Sequence, residues 1–194
     1  MILQALKEYY DRKAADPESG IAPLGWEKKE LPFLITLAAD GSPVGIEDTR
    51  EPVGKKLRAK SFLVPQAVKR TVGMKANLLW DDPEYALAMD IKDAPDKAAA
   101  KHTLFIRRIE EGKLADIPDI SAVMTFLKRP YKLEMLALLC PEAFDELKKL
   151  TPAPARVIFE VEDIAQKRFG LPASSANATT SWIGGNSSVS VCTA

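Results

Sequence analysis

Histidine occurs once in this chain, at His102, and cysteine twice, at Cys140 and Cys192. That scarcity removes most familiar catalytic and metal-binding sets. A His–carboxylate–nucleophile triad has only His102 to draw on, and no Gly-x-Ser-x-Gly elbow accompanies it. His102 lies inside a helical stretch, where it is either a general base or a surface or flanking helix residue. The two cysteines are far apart, lack metal-ligand spacing and have no activating neighbour, which fits free thiols in a cytosolic protein. No basic leader precedes an apolar run at the N-terminus, and no apolar stretch approaches the ~20 residues a bilayer span requires. A cytoplasmic protein without a membrane partner is the expectation.

Net charge is also missing. The 194 residues carry 27 basic and 27 acidic side chains, with 46% apolar residues, ordinary for a chain that buries a core. The balance is uneven along the chain. Lys55, Lys56, Arg58, Lys60, Lys69, Arg70 and Lys75 fall in one stretch that holds no acidic residue. Without those seven the chain has 20 basic against 27 acidic residues, a net charge of −7. One positive segment in an acidic remainder is the pattern of a local anion-binding surface.

Periodicity predicts an α+β fold: a small antiparallel sheet near the N-terminus, several packed helices, and a returning strand. Ile2, Leu3, Leu6, Tyr9 and Tyr10 recur near helical spacing and predict a helix ending before Asp16-Pro17. Leu31 to Leu37 and Val44 to Ile46 flank Asp40-Gly41, a hairpin signal. Arg50 to Gly54 reads as a loop. Lys60 to Pro65 reads as a further strand ended by proline. Helices are predicted over Ala94 to Gly112, Pro118 to Arg129 and Pro141 to Leu150, each opening near proline. Arg156 to Val161 is a strand. The residues from Ala173 onward are small, polar and uncharged, as in a linker. The expected division is a domain over 1–170 and a linker-like or truncated tail over 171–194.

Candidate chemistry is sparse. Gly184-Gly185 lacks the Lys-Ser/Thr of a phosphate loop. Asp81 and Asp82, with Asp90 and Asp93 downstream, are either carboxylates for Mg²⁺ in a small nuclease or the N-cap of a helix at Pro83. The expectation is no catalytic residue, no metal and no cofactor. The basic stretch is either a solvated charged loop or a phosphate surface. Its two charge groups, Lys55/Lys56/Arg58/Lys60 and Lys69/Arg70, flank the apolar run Phe62-Leu63-Val64-Pro65, which predicts a rigid base for both. Thr71 supplies a hydroxyl for phosphate. Asn77 offers a paired donor and acceptor suited to a base edge, or serves as a turn or cap residue.

The opening Met1 to Leu6 and the string Val68-Lys69-Arg70-Thr71-Val72-Gly73-Met74-Lys75-Ala76-Asn77-Leu78-Leu79-Trp80-Asp81 resemble the large subunit of the type I-C CRISPR surveillance complex, the Csd-type Cascade protein. Gly45-Ile46-Glu47-Asp48, Pro65-Gln66 and Tyr85-Ala86-Leu87 with Asp90 continue the likeness in order, densest as far as about Lys97. The resemblance implies a subunit of a crRNA-guided antiviral assembly. Its N-terminal domain would recognise the protospacer-adjacent motif in duplex DNA and help start unwinding, while RNA–DNA pairing reads the target. Its partners would be double-stranded target DNA, crRNA, other Cascade subunits and a recruited helicase–nuclease that does the cutting. Carried onto this chain, Lys69, Arg70 and Thr71 match the family's Lys-Arg-hydroxyl element, and Asn77 its asparagine. Lys55, Lys56, Arg58, Lys60, Lys69, Arg70, Thr71 and Lys75 become DNA-binding candidates, with Asn77 as reader. An alternative within the same assembly is a subunit-docking or crRNA-contacting module without direct DNA readout. The chain departs from the family in having Asp82 where Asn is common and Ala88 where Gly is common. It is also far shorter than family members, which implies an N-terminal fragment or truncated copy.

Overall fold

The computed structural model describes residues 2–16, 19, 21–91, 93–150 and 156–162. The predicted tail over 171–194, and Cys192 with it, lies outside the described residues. The fold is α+β. The first helix, α1 (Ile2–Ala15), is followed by strands β1 (Trp26–Glu30), β2 (Phe33–Ala38), β3 (Pro43–Asp48), β4 (Arg50–Val53), β5 (Lys56–Ala59), β6 (Ser61–Pro65) and β7 (Trp80–Asp81). Helices α2 (Pro83–Ala86), α3 (Pro95–Glu111), α4 (Pro118–Leu127), α5 (Lys132–Leu139) and α6 (Pro141–Leu150) come next, and strand β8 (Val157–Glu162) returns.

The strands form three sheets. The central one has the order β3-β2-β8-β7, while β1 pairs with β6 and β4 with β5. All pairings are antiparallel except β2 with β8, which run parallel from Phe33 opposite Val157 to Ala38 opposite Glu162. A parallel neighbour needs a crossover, and α2 to α6 supply it on one face of the sheet. This explains the unbroken apolar run in β2, which is buried from Phe33 to Leu37. Phe33, Ile35 and Leu37 face the helices and join Phe105, Phe126 and Phe159 in the main core. Leu34 faces the other way, into a second cluster with Leu31, Val64, Trp80 and Ile158 beneath the β1–β6 ribbon.

The Asp40-Gly41 turn is where the sequence placed it. Asp40 accepts the Ser42 N–H at 2.8 Å, and Gly41 has φ +76°. A Cβ there would lie 2.6 Å from the Ala122 carbonyl of α4, so glycine is needed for conformation and for close packing. Two segments differ from expectation. Arg50 to Gly54 is strand β4 and its turn, because Val53 pairs with Lys56 across Gly54 at φ +65°. Lys60 to Pro65 does not extend the central sheet, since β6 pairs with β1, a charged strand (Trp26-Glu27-Lys28-Lys29-Glu30) that periodicity did not reveal.

Ala88 stands at φ +59°, a left-handed conformation that costs a side-chain-bearing residue about 1–2 kcal/mol. The glycine common in the resembled family suits that backbone. Ala88→Gly is therefore expected to stabilise the chain by about 1 kcal/mol, because strain relief outweighs the extra chain entropy of glycine. An unchanged or lowered urea midpoint in equilibrium unfolding would contradict it.

Candidate nucleic-acid interface

The stretch from Gln66 to Leu79 connects β6 to β7 and has no regular structure, yet it is tied down at its base. The anchor is Asp81, only 1% exposed. Its Oδ1 accepts Arg70 Nη2 at 2.5 Å and the Asp82 N–H at 2.8 Å, and its Oδ2 accepts Arg70 Nη2 and the Asn77 N–H, the latter at 2.8 Å. Arg70 also donates from Nε to the Lys75 carbonyl at 2.8 Å and from Nη1 to Asp82 at 3.3 Å, and its guanidinium lies 4.5 Å from the Tyr85 ring centroid. Asn77 Oδ1 accepts the Val68 N–H at 3.0 Å, and Trp80 Nε1 donates to the Pro65 carbonyl at 2.8 Å. One buried carboxylate thus ties together a long connection that also packs Ala67, Ala76, Leu78 and Leu79 against the two apolar clusters.

Burial raises the Asp81 pKa above its ordinary value, against the lowering effect of Arg70 and the two backbone N–H groups. For Arg70, burial pulls the pKa down, but the Asp81 hydrogen bond and charge outweigh it and the net shift is upward. The two shifts act oppositely on one pair. One guanidinium nitrogen shared between both Asp81 oxygens, backed by two amide donors, favours the ionised pair.

The predicted basic residues separate into two kinds. Lys60 pairs with Glu47 at 2.9 Å, and this hydrogen bond raises its pKa. Arg58 pairs with Glu30 at 2.6 Å, and Arg70 is committed to Asp81. Lys55, Lys56, Lys69 and Lys75 are exposed, with no carboxylate in ion-pair range among the described residues. Thr71 is exposed beside them. Lys55 and Lys56 sit at the tip of the β4–β5 hairpin, before one end of β6; Lys69 and Lys75 follow its other end. The strand β6, which contains Phe62 to Pro65, lies between the two groups in the chain and pairs with β1.

Asn77 is 5% exposed, and its Oδ1 is already an acceptor for Val68. Only its amide NH₂ is left to face outward, into a polar cleft of about 180 Å³. Lys29, Arg70, Trp80, Asp82 and Arg156 share that lining. Neither Lys29 nor Arg156 was singled out by the sequence: Lys29 lies in the mixed-charge run Glu27-Lys28-Lys29-Glu30, and Arg156 lies 79 residues beyond Asn77.

The remaining candidates are structural. Asp82 precedes α2 at its N-cap position without a side-chain capping bond, and Asp81 is fully engaged as above. Among the described residues no three His, Cys, Asp or Glu side chains converge as a metal site. His102 is buried rather than on the surface, because α3 turns it toward α2 and α4. Its Nδ1 lies 2.7 Å from the Tyr85 carbonyl and its Nε2 3.1 Å from that of Leu127, which also accepts Lys132 Nζ at 3.1 Å. Burial lowers the His102 pKa, helped by Lys132 and opposed by the Tyr85 carbonyl. No described helix is long and apolar enough to cross a membrane.

A buried carboxylate thus braces an exposed basic connection. The profile of the CRISPR-associated protein family Cas_Csd1 matches residues 6–192. The chain belongs to that family and is a Cascade-type CRISPR subunit. No curated protein matches it.

Proposed function

We propose that this chain is the DNA-docking part of the large subunit of a type I-C complex, engaging duplex DNA beside the protospacer-adjacent motif and helping to start unwinding. Four exposed lysines without carboxylate partners among the described residues, presented on a hairpin and on a loop braced by Asp81, are the observation that carries this reading. Lys55, Lys56, Lys69 and Lys75 hold phosphates, with Thr71 donating a hydroxyl hydrogen bond. Arg58 and Lys60 join them only by exchanging Glu30 and Glu47 for phosphate. Arg70 acts chiefly by holding the loop. Asn77, by its NH₂ alone, meets acceptor atoms of the kind that line the minor groove. The chain supplies no cleavage chemistry, which falls to a recruited helicase–nuclease; crRNA and the other subunits complete the complex. Its place of action is the cytoplasm.

The test is competition among duplexes that differ only in the adjacent motif. Lys69→Ala is expected to weaken all of them alike, because phosphate contacts carry no sequence information. Asn77→Ala is expected to flatten the preference at a cost of about 1–3 kcal/mol for the preferred motif. Equal loss across all sequences for Asn77→Ala would remove its reading role.

A second reading, subunit docking, has its own support. The α1 stripe of Ile2, Leu3, Leu6 and Tyr9 is more than half exposed, and apolar stripes of that kind mark protein contacts. If docking were the sole function, duplex binding would be absent while removal of the stripe would still block assembly.

A further inference from the structure

The cleft beneath the loop gathers charges that the fold alone does not need. Lys29 comes from β1, Arg156 from the residue before β8 and Asn77 from the loop, and the three meet around Trp80. Lys29 Nζ stands 5.9 Å from the Trp80 ring centroid, with Glu27 no nearer than 4.0 Å. Arg156 reaches Asp82 only at 3.9 Å. The cleft lining holds Lys29, Arg70 and Arg156 against Asp81 and Asp82, one more cation than carboxylates, with Glu27 outside the lining at 4.0 Å from Lys29. The Asn77 carboxamide is oriented by the Val68 N–H on its oxygen, which turns the NH₂ away from that bond. No described residue accepts from this NH₂, which is open to solvent at the cleft.

We propose that this cleft is a phosphate site, in which Lys29, Arg156 and one N–H of the Asn77 carboxamide hold one phosphate group of a nucleic-acid strand, the second N–H being left for the base acceptor. The assignment rests on the DNA-binding reading above and adds two residues to it, Lys29 and Arg156. A phosphate oxygen is an acceptor with negative charge, so it satisfies all three donors at once. It displaces Asp82 from its long contact with Arg156, while Arg70 Nη1 keeps Asp82 in place at 3.3 Å. Because Asn77 also ties the loop, an occupied cleft holds one phosphate in fixed register with the exposed Lys69 and Lys75.

Two measurements on the full chain test this. In the first, duplex binding is followed against salt for the unaltered chain, Arg156→Gln, Lys29→Gln, Arg156→Lys and Lys97→Gln, an exposed α3 control. Arg156→Gln and Lys29→Gln are each expected to reduce the salt slope by about 0.9 and to weaken binding about 8-fold near 0.1 M salt. Arg156→Lys is expected to restore the slope, and Lys97→Gln to leave it unchanged. In the second, the melting temperature is measured with inorganic phosphate against chloride of equal ionic strength. A rise in the unaltered chain that is absent in Arg156→Gln supports the site even if duplex DNA is not bound, in which case free phosphate is the ligand and the DNA reading fails. Duplex binding with an unchanged slope in both glutamine variants overturns the cleft and leaves the DNA reading standing. No phosphate stabilisation together with no duplex binding overturns both.

Discussion

Asp81→Ala is expected to destabilise the chain by about 2–4 kcal/mol and to lower its melting temperature by roughly 5–10 °C. Asp81 is 1% exposed, and four hydrogen bonds from Arg70, Asn77 and Asp82 end on its carboxylate. Alanine leaves a partly buried guanidinium with only Asp82, at 3.3 Å, as counter-charge and two amide N–H groups without an acceptor. The lower part of the range applies because the Arg70 side chain is 29% exposed and keeps some hydration. A double-mutant cycle with Arg70→Ala separates the pair from its surroundings. Removing Arg70 as well should recover part of the loss, since no uncompensated charge is then left. Additive losses would show that Asp81 acts through the backbone donors alone. Proteolysis between Gln66 and Leu79 should quicken in Asp81→Ala, because the connection would lose its tether.

The combined replacement of Lys55, Lys56, Lys69 and Lys75 by alanine is expected to leave folding intact and to remove most duplex binding. All four are exposed and unpaired among the described residues, and such surface changes usually move stability by no more than about 0.5 kcal/mol each. If each holds one phosphate, the slope of log K against log salt falls in magnitude by about 3.6, and affinity near 0.1 M salt drops by roughly 4 × 10³-fold. Replacing Arg58, Lys60 and Arg70 instead should change the slope far less, because each of these already faces a carboxylate. The contrast is the useful readout. A basic stretch acting as an undifferentiated charge would lose slope in proportion to the number of residues removed, whichever they were. Equal effects per residue in the two sets would overturn the division drawn from the ion pairs.

The two experiments touch different parts of the same segment. Asp81→Ala alters the shape of the loop and should impair discrimination among motifs more than overall affinity. The lysine replacements alter its charge and should impair affinity uniformly. A chain in which both sets had the same effect on sequence preference would not be reading DNA with this loop.

Much of the fold was legible along the chain because its signals are local. Proline at the start of α3, α4 and α6, Gly112 after α3, and Asp40-Gly41 between two apolar runs all act within a few residues. The returning strand β8 was legible as an apolar run, whereas its parallel place beside β2 depends on a partner 124 residues away. Strand β1 escaped notice because four of its five residues are charged and give no apolar signal; it exists because β6 pairs with it. Helix α5 escaped because its apolar residues lie nearly all round, without a dominant face.

The basic stretch divides along the same line. Sequence by itself determined that seven positive side chains lie between Lys55 and Lys75 in an otherwise acidic chain, and that the surrounding string belongs to a CRISPR-associated family. Only the tertiary structure decided which of those charges stay available. Glu30, Glu47 and Asp81 reach Arg58, Lys60 and Arg70 from other strands, and ion pairing falls off with distance in space, not along the chain. It also turned Asn77 inward and brought Lys29 and Arg156 to its side.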